Sequence, residues 1–125
     1  MNGKNTKHLH ESYPLLYDYP IYFECGDGWF DILDRLSSKI EKLLKEQKEK
    51  YPNDEIFPSV AQVKEKFGTL RFYITVAIDE IYNLIDEAEK ESSKICEICG
   101  KEGKLNNGPW YQTLCYEHMY CVMNP

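Results

Sequence analysis

From Trp29 the apolar positions fall at Trp29, Ile32, Leu33, Leu36, Ile40, Leu43 and Leu44. This is the spacing of one helical face, and it predicts a helix to about Lys50 with Asp27 or Gly28 available as its N-cap. Glu41 with Lys45, and Glu46 with Lys50, stand four residues apart and read as solvated pairs on the outer face. Tyr51-Pro52-Asn53-Asp54 stops the helix, and a loop leads through Pro58. The period then changes to two. Ser59–Lys66 and Thr69–Val76 alternate and are joined by Phe67-Gly68, which predicts a β-hairpin. Leu70, Phe72, Ile74 and Val76 share one face of its second strand, and Arg71, Tyr73 and Thr75 share the other.

Helical spacing returns after Asp79, with Ile81, Leu84, Ile85, Ala88, Ser92 and Ile95 inward and Asp86, Glu87, Glu89 and Glu91 making an acidic outer side. Ahead of the first helix, Ile21–Cys25 reads as a short strand with Ile21, Phe23 and Cys25 on one face. The two pairs Tyr13-Pro14 and Tyr19-Pro20 bias their neighbourhood toward extended backbone, so residues 1–20 are expected to form an extended arm. Together these elements predict an α+β fold: a small antiparallel sheet, hairpin plus short strand, packed by two helices over residues 21–95. A cysteine-rich segment of the same domain follows over 96–125.

Cysteine spacing defines the chemistry of that segment. Cys96-Glu-Ile-Cys99-Gly100 places two thiols at C-x2-C spacing on a tight turn, and Cys115-Tyr-Glu-His118 supplies a second pair. Four N/S donors in two such pairs suit tetrahedral zinc, and a site closed by four protein ligands has no open position for a reacting water. Zinc at Cys96, Cys99, Cys115 and His118 is therefore expected to serve folding rather than catalysis. Cys121 follows His118 by three residues and could replace it as the fourth ligand; His118 is favoured because it completes the paired spacing. The intervening turn at Asn106-Asn107-Gly108-Pro109, a strand over Trp110–Leu114 and a short helix after Cys115 resemble the treble-clef class of zinc folds, which fixes architecture but not activity.

The chain has 125 residues, of which 42% are hydrophobic and 29% charged, enough for one domain with a real core. Fifteen lysines and arginines against 21 acidic residues give a net charge of −6, a field that repels long phosphate backbones. Membrane-length apolar runs and the apolar core of a secretion signal are both lacking, so a cytoplasmic protein is expected. In a reducing compartment five cysteines suit metal ligation better than a disulfide framework.

Within this acidic chain Lys64, Lys66 and Arg71 form a local cationic cluster interleaved with Phe67, Phe72 and Tyr73. Cations can hold phosphates and an aromatic face can stack a base, so Lys64, Lys66, Arg71, Tyr73 and Trp29 are the candidate ligand-binding residues. The competing reading places the lysines on the solvated face of an edge strand and both phenylalanines in the core. Gly26-Asp27-Gly28-Trp29 reads as an N-cap with a core tryptophan, or as a helix start offering N–H groups to an anion. No catalytic set is legible. His8 and His10 fall in the expected arm and read as solvated, Cys25 reads as a core thiol, and there is no glycine-rich phosphate cradle.

Glu24-Cys-Gly-Asp-Gly-Trp29, Gln62-Val-Lys-Glu-Lys-Phe-Gly-Thr-Leu-Arg-Phe-Tyr73, Cys96-Glu-Ile-Cys-Gly100 and Thr113-Leu-Cys115 together resemble a family of small phage- and prophage-encoded proteins, from about Tyr22 to His118. The resemblance implies a phage origin, action in the host cytoplasm and a task in countering or adjusting a host system; it carries no activity.

Two functions follow as expectations. The first is a zinc-stabilised binding protein, alone or as a homodimer, that captures a small phosphorylated ligand such as a host nucleotide immune signal. The second is a module that docks on a host or phage protein through its zinc end and exposed tyrosines, or imitates nucleic acid through the acidic helix at Asp79–Lys94. Reading of long nucleic acid by the zinc end ranks last, since Lys101 and Lys104 are the only cations between Cys99 and Cys121.

Overall fold

The computed structural model describes residues 1–54 and 57–124. Glu55 and Ile56 of the expected loop before Pro58, and Pro125 of the expected 96–125 segment, lie outside the described residues. The elements run α1 (Gly3–Ser12), β1 (Phe23–Glu24), a 3-10 turn (Asp27–Trp29), α2 (Phe30–Lys50), β2 (Val60–Lys66), β3 (Thr69–Ile74), α3 (Asp79–Ser92), β4 (Lys104–Asn107), β5 (Tyr111–Leu114) and α4 (Tyr116–Met123). The architecture is α+β, with one sheet ordered β1-β2-β3 and a second ribbon of β4 and β5.

β2 and β3 pair antiparallel across Phe67-Gly68, with Val63 opposite Phe72 and Lys64 opposite Arg71. Phe67 and Gly68 both take positive φ, 53° and 85°, so the connection is a type I′ turn whose twist matches that of the strands. β1 lies parallel to β2, with Phe23 opposite Val63. A parallel neighbour needs a long crossover, and α2 supplies it. The expected helical stripe is the one buried: Trp29, Ile32, Leu33, Leu36, Ile40 and Leu44 pack with Val60, Val63, Leu70, Phe72, Ile81 and Ile85.

β3 would be an exposed edge, but α3 seals it. Ser92 Oγ accepts the Leu70 N–H at 2.9 Å and Glu89 Oε2 accepts the Phe72 N–H at 2.9 Å. Glu89 therefore leaves the acidic outer side predicted for this helix, and Glu91 is paired with Arg35. Burial raises the Glu89 pKa, against the pull of the Phe72 N–H and of Arg71.

The first twenty residues depart from the expected extended arm. Gly3–Ser12 is helical, with the Asn2 side chain accepting the Asn5 N–H at 2.8 Å as N-cap. The Tyr-Pro pairs restrict Tyr13 and Tyr19, and the helix ends just before the first of them. Leu9, Leu16 and Tyr17 are buried members of the main core, so this segment closes the domain rather than trailing from it. Asp27 Oδ1 ties it down by accepting from Asn2 N at 2.8 Å and Asn5 Nδ2 at 3.2 Å.

His10 is part of this closure and not a solvated side chain. Its Nε2 accepts the Ile21 N–H at 3.0 Å, which leaves Nδ1–H to donate to the Thr6 carbonyl at 2.9 Å. His8 stays half-exposed beside Asp34. Glu41 is likewise corrected from a solvated partner of Lys45 to a buried acceptor: its two oxygens take the Leu15 and Leu16 N–H groups at 3.1 and 2.9 Å. A carboxylate next to Ile40 and one turn before Leu44 can be buried because the chain after Pro14 brings it two otherwise unpaired donors.

Candidate functional site

Cys96–Gly100 forms a tight knuckle. Gly100 N–H donates to the Cys96 carbonyl at 2.9 Å, Cys96 N–H donates to the Lys101 carbonyl at 2.7 Å, and Gly100 takes the left-handed φ of 80° that closes the loop. Across from it β5 delivers Cys115 to the N-cap of α4, and His118 projects three residues further along that helix. The donor atoms of Cys96, Cys99, Cys115 and His118 all lie within 4.8 Å of one another, positioned to hold a metal ion. Cys99 Sγ to Cys115 Sγ is 3.7 Å, Cys96 Sγ to His118 Nδ1 is 3.5 Å and Cys115 Sγ to His118 Nδ1 is 3.1 Å. The fourth donor is thus His118, through Nδ1; Cys121 is exposed and outside the group.

The electrostatics suit a thiolate. Burial raises the Cys96 pKa, but the N–H groups of Cys115, Cys99 and Ile98 outweigh it and bring the thiol down to about 6. For Cys99 the Lys101 N–H favours the thiolate; burial and the neighbouring Cys96 and Cys115 sulfurs outweigh that and its pKa is raised. Cys25 stays apart as a buried thiol, pushed up to about 12 chiefly by desolvation.

The Gly26-Asp27-Gly28-Trp29 turn has its explanation here. Gly28 N–H donates to the Glu97 carbonyl at 2.7 Å, Gly26 N–H donates to Glu97 Oε2 at 2.8 Å, and the Trp29 indole N–H donates to the Ile95 carbonyl at 2.8 Å. A Cβ on Gly28 would lie 2.0 Å from the Cys96 carbonyl oxygen, so only glycine lets the turn reach the knuckle. The anion facing this turn is the protein's own Glu97, whose pKa burial raises despite the Gly26 N–H. Trp29 is wholly buried. That removes it from the candidate ligand-binding set, because a ring without exposed surface cannot stack a base.

Lys64, Lys66, Arg71 and Tyr73 are brought together. Lys64 faces Arg71, Lys66 faces Thr69 and Tyr73 faces Gln62, so alternation puts all four on the outer side of the hairpin while Val63, Leu70 and Phe72 point into the core. Among the described residues none of the three cations forms an ion pair. Arg71 Nε is buried without a hydrogen-bond partner, and Arg71 and Thr69 line a shallow cleft of about 300 Å³ against Glu89 and Lys90 of α3.

One feature of this face was not read from the sequence. Phe67 is 60% exposed rather than core, and its ring stands at 78° to that of Tyr111, with centroids 5.7 Å apart. Lys66 Nζ lies 5.7 Å from the Phe67 centroid. The signal was a phenylalanine at the first turn position, where Asn, Asp or Gly is the usual residue. The hairpin tip is seated on the ribbon: Thr113 Oγ1 donates to the Gly68 carbonyl at 2.7 Å, and a Cβ on Gly68 would meet Leu105 Cδ1 at 2.4 Å.

The chain matches no family model, no curated protein and no solved structure. No helix among the described residues is long and apolar enough to cross a membrane.

Proposed function

We propose that this protein is a zinc-stapled binding protein that captures a small phosphorylated ligand on the outer face of the β2–β3 hairpin, without turning it over. One observation carries the reading: Lys64 and Arg71 stand directly opposite each other beside Lys66, with no ion pair to any of them among the described residues, in a chain of net charge −6. Such a cluster raises the local potential for a phosphate without creating a surface that tracks a long backbone. The resemblance to phage-encoded proteins adds a setting, sequestration of a phosphorylated signal made by the host. Titration with pyrophosphate and ribose 5-phosphate is expected to give binding that Lys64→Ala with Arg71→Ala removes. Absence of binding at millimolar ligand would end the reading.

Zinc is the ion that the donor set favours. Metal–sulfur and metal–nitrogen bonds of about 2.3 and 2.05 Å give tetrahedral edges of roughly 3.8 Å between sulfurs and 3.5 Å between sulfur and nitrogen. The separations of 3.7 and 3.5 Å fit those edges, and that of 3.1 Å is short of them. Zinc here supplies a crosslink between the knuckle and α4, and the chain's own N–H groups hold Cys96 ready as thiolate. Elemental analysis should find about one zinc per chain, and a Cys115→Ser variant should lose it.

A second reading has its own support. α4 buries none of its residues and exposes Tyr116 to 85% and Met123 to 72%, beside a cleft of about 390 Å³ lined by Leu114 and Met119. A surface of this kind suits a protein partner. Stoichiometric capture of one host protein by the wild type, abolished by Tyr116→Ser with Tyr120→Ser, would favour it over the ligand-binding reading.

A further inference from the structure

We infer that Phe67 and Tyr111 form a base-stacking subsite at the hairpin tip, so that the phosphorylated ligand is a nucleotide; this rests on the phosphate-binding reading of the adjacent cations. Three observations converge on the tip. Phe67 occupies a left-handed position, φ 53°, where a bulky side chain is disfavoured and Asn or Gly would relax the backbone. A disfavoured aromatic that is also 60% exposed is not explained by core packing. Its ring meets that of Tyr111 nearly at right angles, forming a corner in which a planar base would stack on one ring against the edge of the other. Lys66 already sits beside the Phe67 ring, and the Lys64–Arg71 pair lies two strand positions further on, roughly 7 Å along the hairpin. Ring, cation and cation pair thus follow one another in the order base, sugar and phosphate.

The corner is built from two parts of the fold. Phe67 belongs to the hairpin, whereas Tyr111 belongs to β5, whose end delivers the metal donor Cys115. Thr113 couples them: its hydroxyl holds the Gly68 carbonyl at 2.7 Å, and its own carbonyl accepts the knuckle N–H of Glu97 at 3.0 Å. Loss of the metal would release Tyr111 from Phe67 while leaving Lys64 and Arg71 in place.

The test is calorimetric titration of the metal-loaded protein with the four common nucleoside 5′-monophosphates and with ribose 5-phosphate, which differs from them only in lacking the base. At least one nucleotide is expected to bind about tenfold or more tighter than ribose 5-phosphate, the span a stacked base contributes. Phe67→Asn should leave the melting temperature unchanged or higher and reduce that nucleotide to the affinity of ribose 5-phosphate. Tyr111→Leu, on the ribbon side of the corner, should do the same. Equal binding of nucleotides and ribose 5-phosphate by the wild type, or full nucleotide affinity in Phe67→Asn, would overturn the stacking subsite while the phosphate reading stood. No binding of any of the five would overturn both.

Discussion

The main core and the metal lobe solve the same problem with different materials. The core closes on apolar side chains from every element of the first ninety residues, with Leu9, Trp29, Leu33, Ile40, Leu44, Val63, Leu70 and Ile81 among those wholly buried. In the lobe the buried hydrophobic cluster is Cys96, Leu114 and Cys115, with Met119 of α4 packed against it, and no residue of α4 is fully buried. So small an apolar cluster cannot offset the entropy of ordering about thirty residues at roughly 1–2 kcal/mol each. The difference teaches that an ion held by the four donors would stand in for a core in the lobe, and that the two parts should respond separately to its removal. The largest expected effect follows. On chelation, amide protection across β4, β5 and α4 should collapse while that of α2, β2 and β3 persists, read by hydrogen exchange. Simultaneous loss of protection in both parts would break the comparison and make the lobe an integral section of the core.

The seam between the parts gives the next test. Glu41 and Gly28 are each polar or small residues in crowded places, one within the core and the other at the lobe. Glu41→Leu leaves the Leu15 and Leu16 N–H groups buried without acceptors, which should cost about 2–5 kcal/mol and leave metal content unchanged. Gly28→Ala puts a methyl within 2.0 Å of the Cys96 carbonyl and should cost about 1–3 kcal/mol. Because it strains the knuckle directly, it should also weaken metal retention in a chelator competition, where Glu41→Leu should not. Equal metal affinity in the two variants would mean that the seam transmits nothing.

Much of this was legible in the sequence, and unevenly so. Helical period marked the buried face of α2, alternation marked the hairpin, and paired spacing marked Cys96, Cys99, Cys115 and His118, because each signal is local and repeats along the chain. What escaped depended on contacts far apart in sequence. Nothing near Gly3–Ser12 announces that Asp27 will anchor that helix, or that Leu15 and Leu16 will need Glu41 as acceptor. Trp29 looked available for stacking because a sequence does not say that its indole will meet the Ile95 carbonyl. For the same reason Phe67 read as cationic-cluster aromatic or core residue, without the partner ring of Tyr111.

The pH-dependent effects are electrostatic and have opposite signs in the thiol and the carboxylates. Cys96 is lowered from 9.0 to about 6 in the fold, so the unfolded chain binds more protons between those values. Its contribution to stability is complete above about 9, diminishes as pH falls, and is lost below about 6. Glu97 and Glu89 are raised above 4.5 by burial, so each contributes stability below that value that disappears as pH rises through its folded pKa. Acidification of the metal-free protein from pH 8 should therefore first weaken the lobe as Cys96 takes up its proton, and only at lower pH recover a little stability from the two carboxylates. Glu97→Gln separates the contributions, since its amide oxygen can still accept the Gly26 N–H while carrying no proton equilibrium. Denaturant titrations of this variant should keep the loss between pH 8 and 6 and reduce the recovery below it to the part that Glu89 contributes. A variant that instead lost the pH 8 to 6 slope would place the titrating group on Glu97 and not on the knuckle thiol.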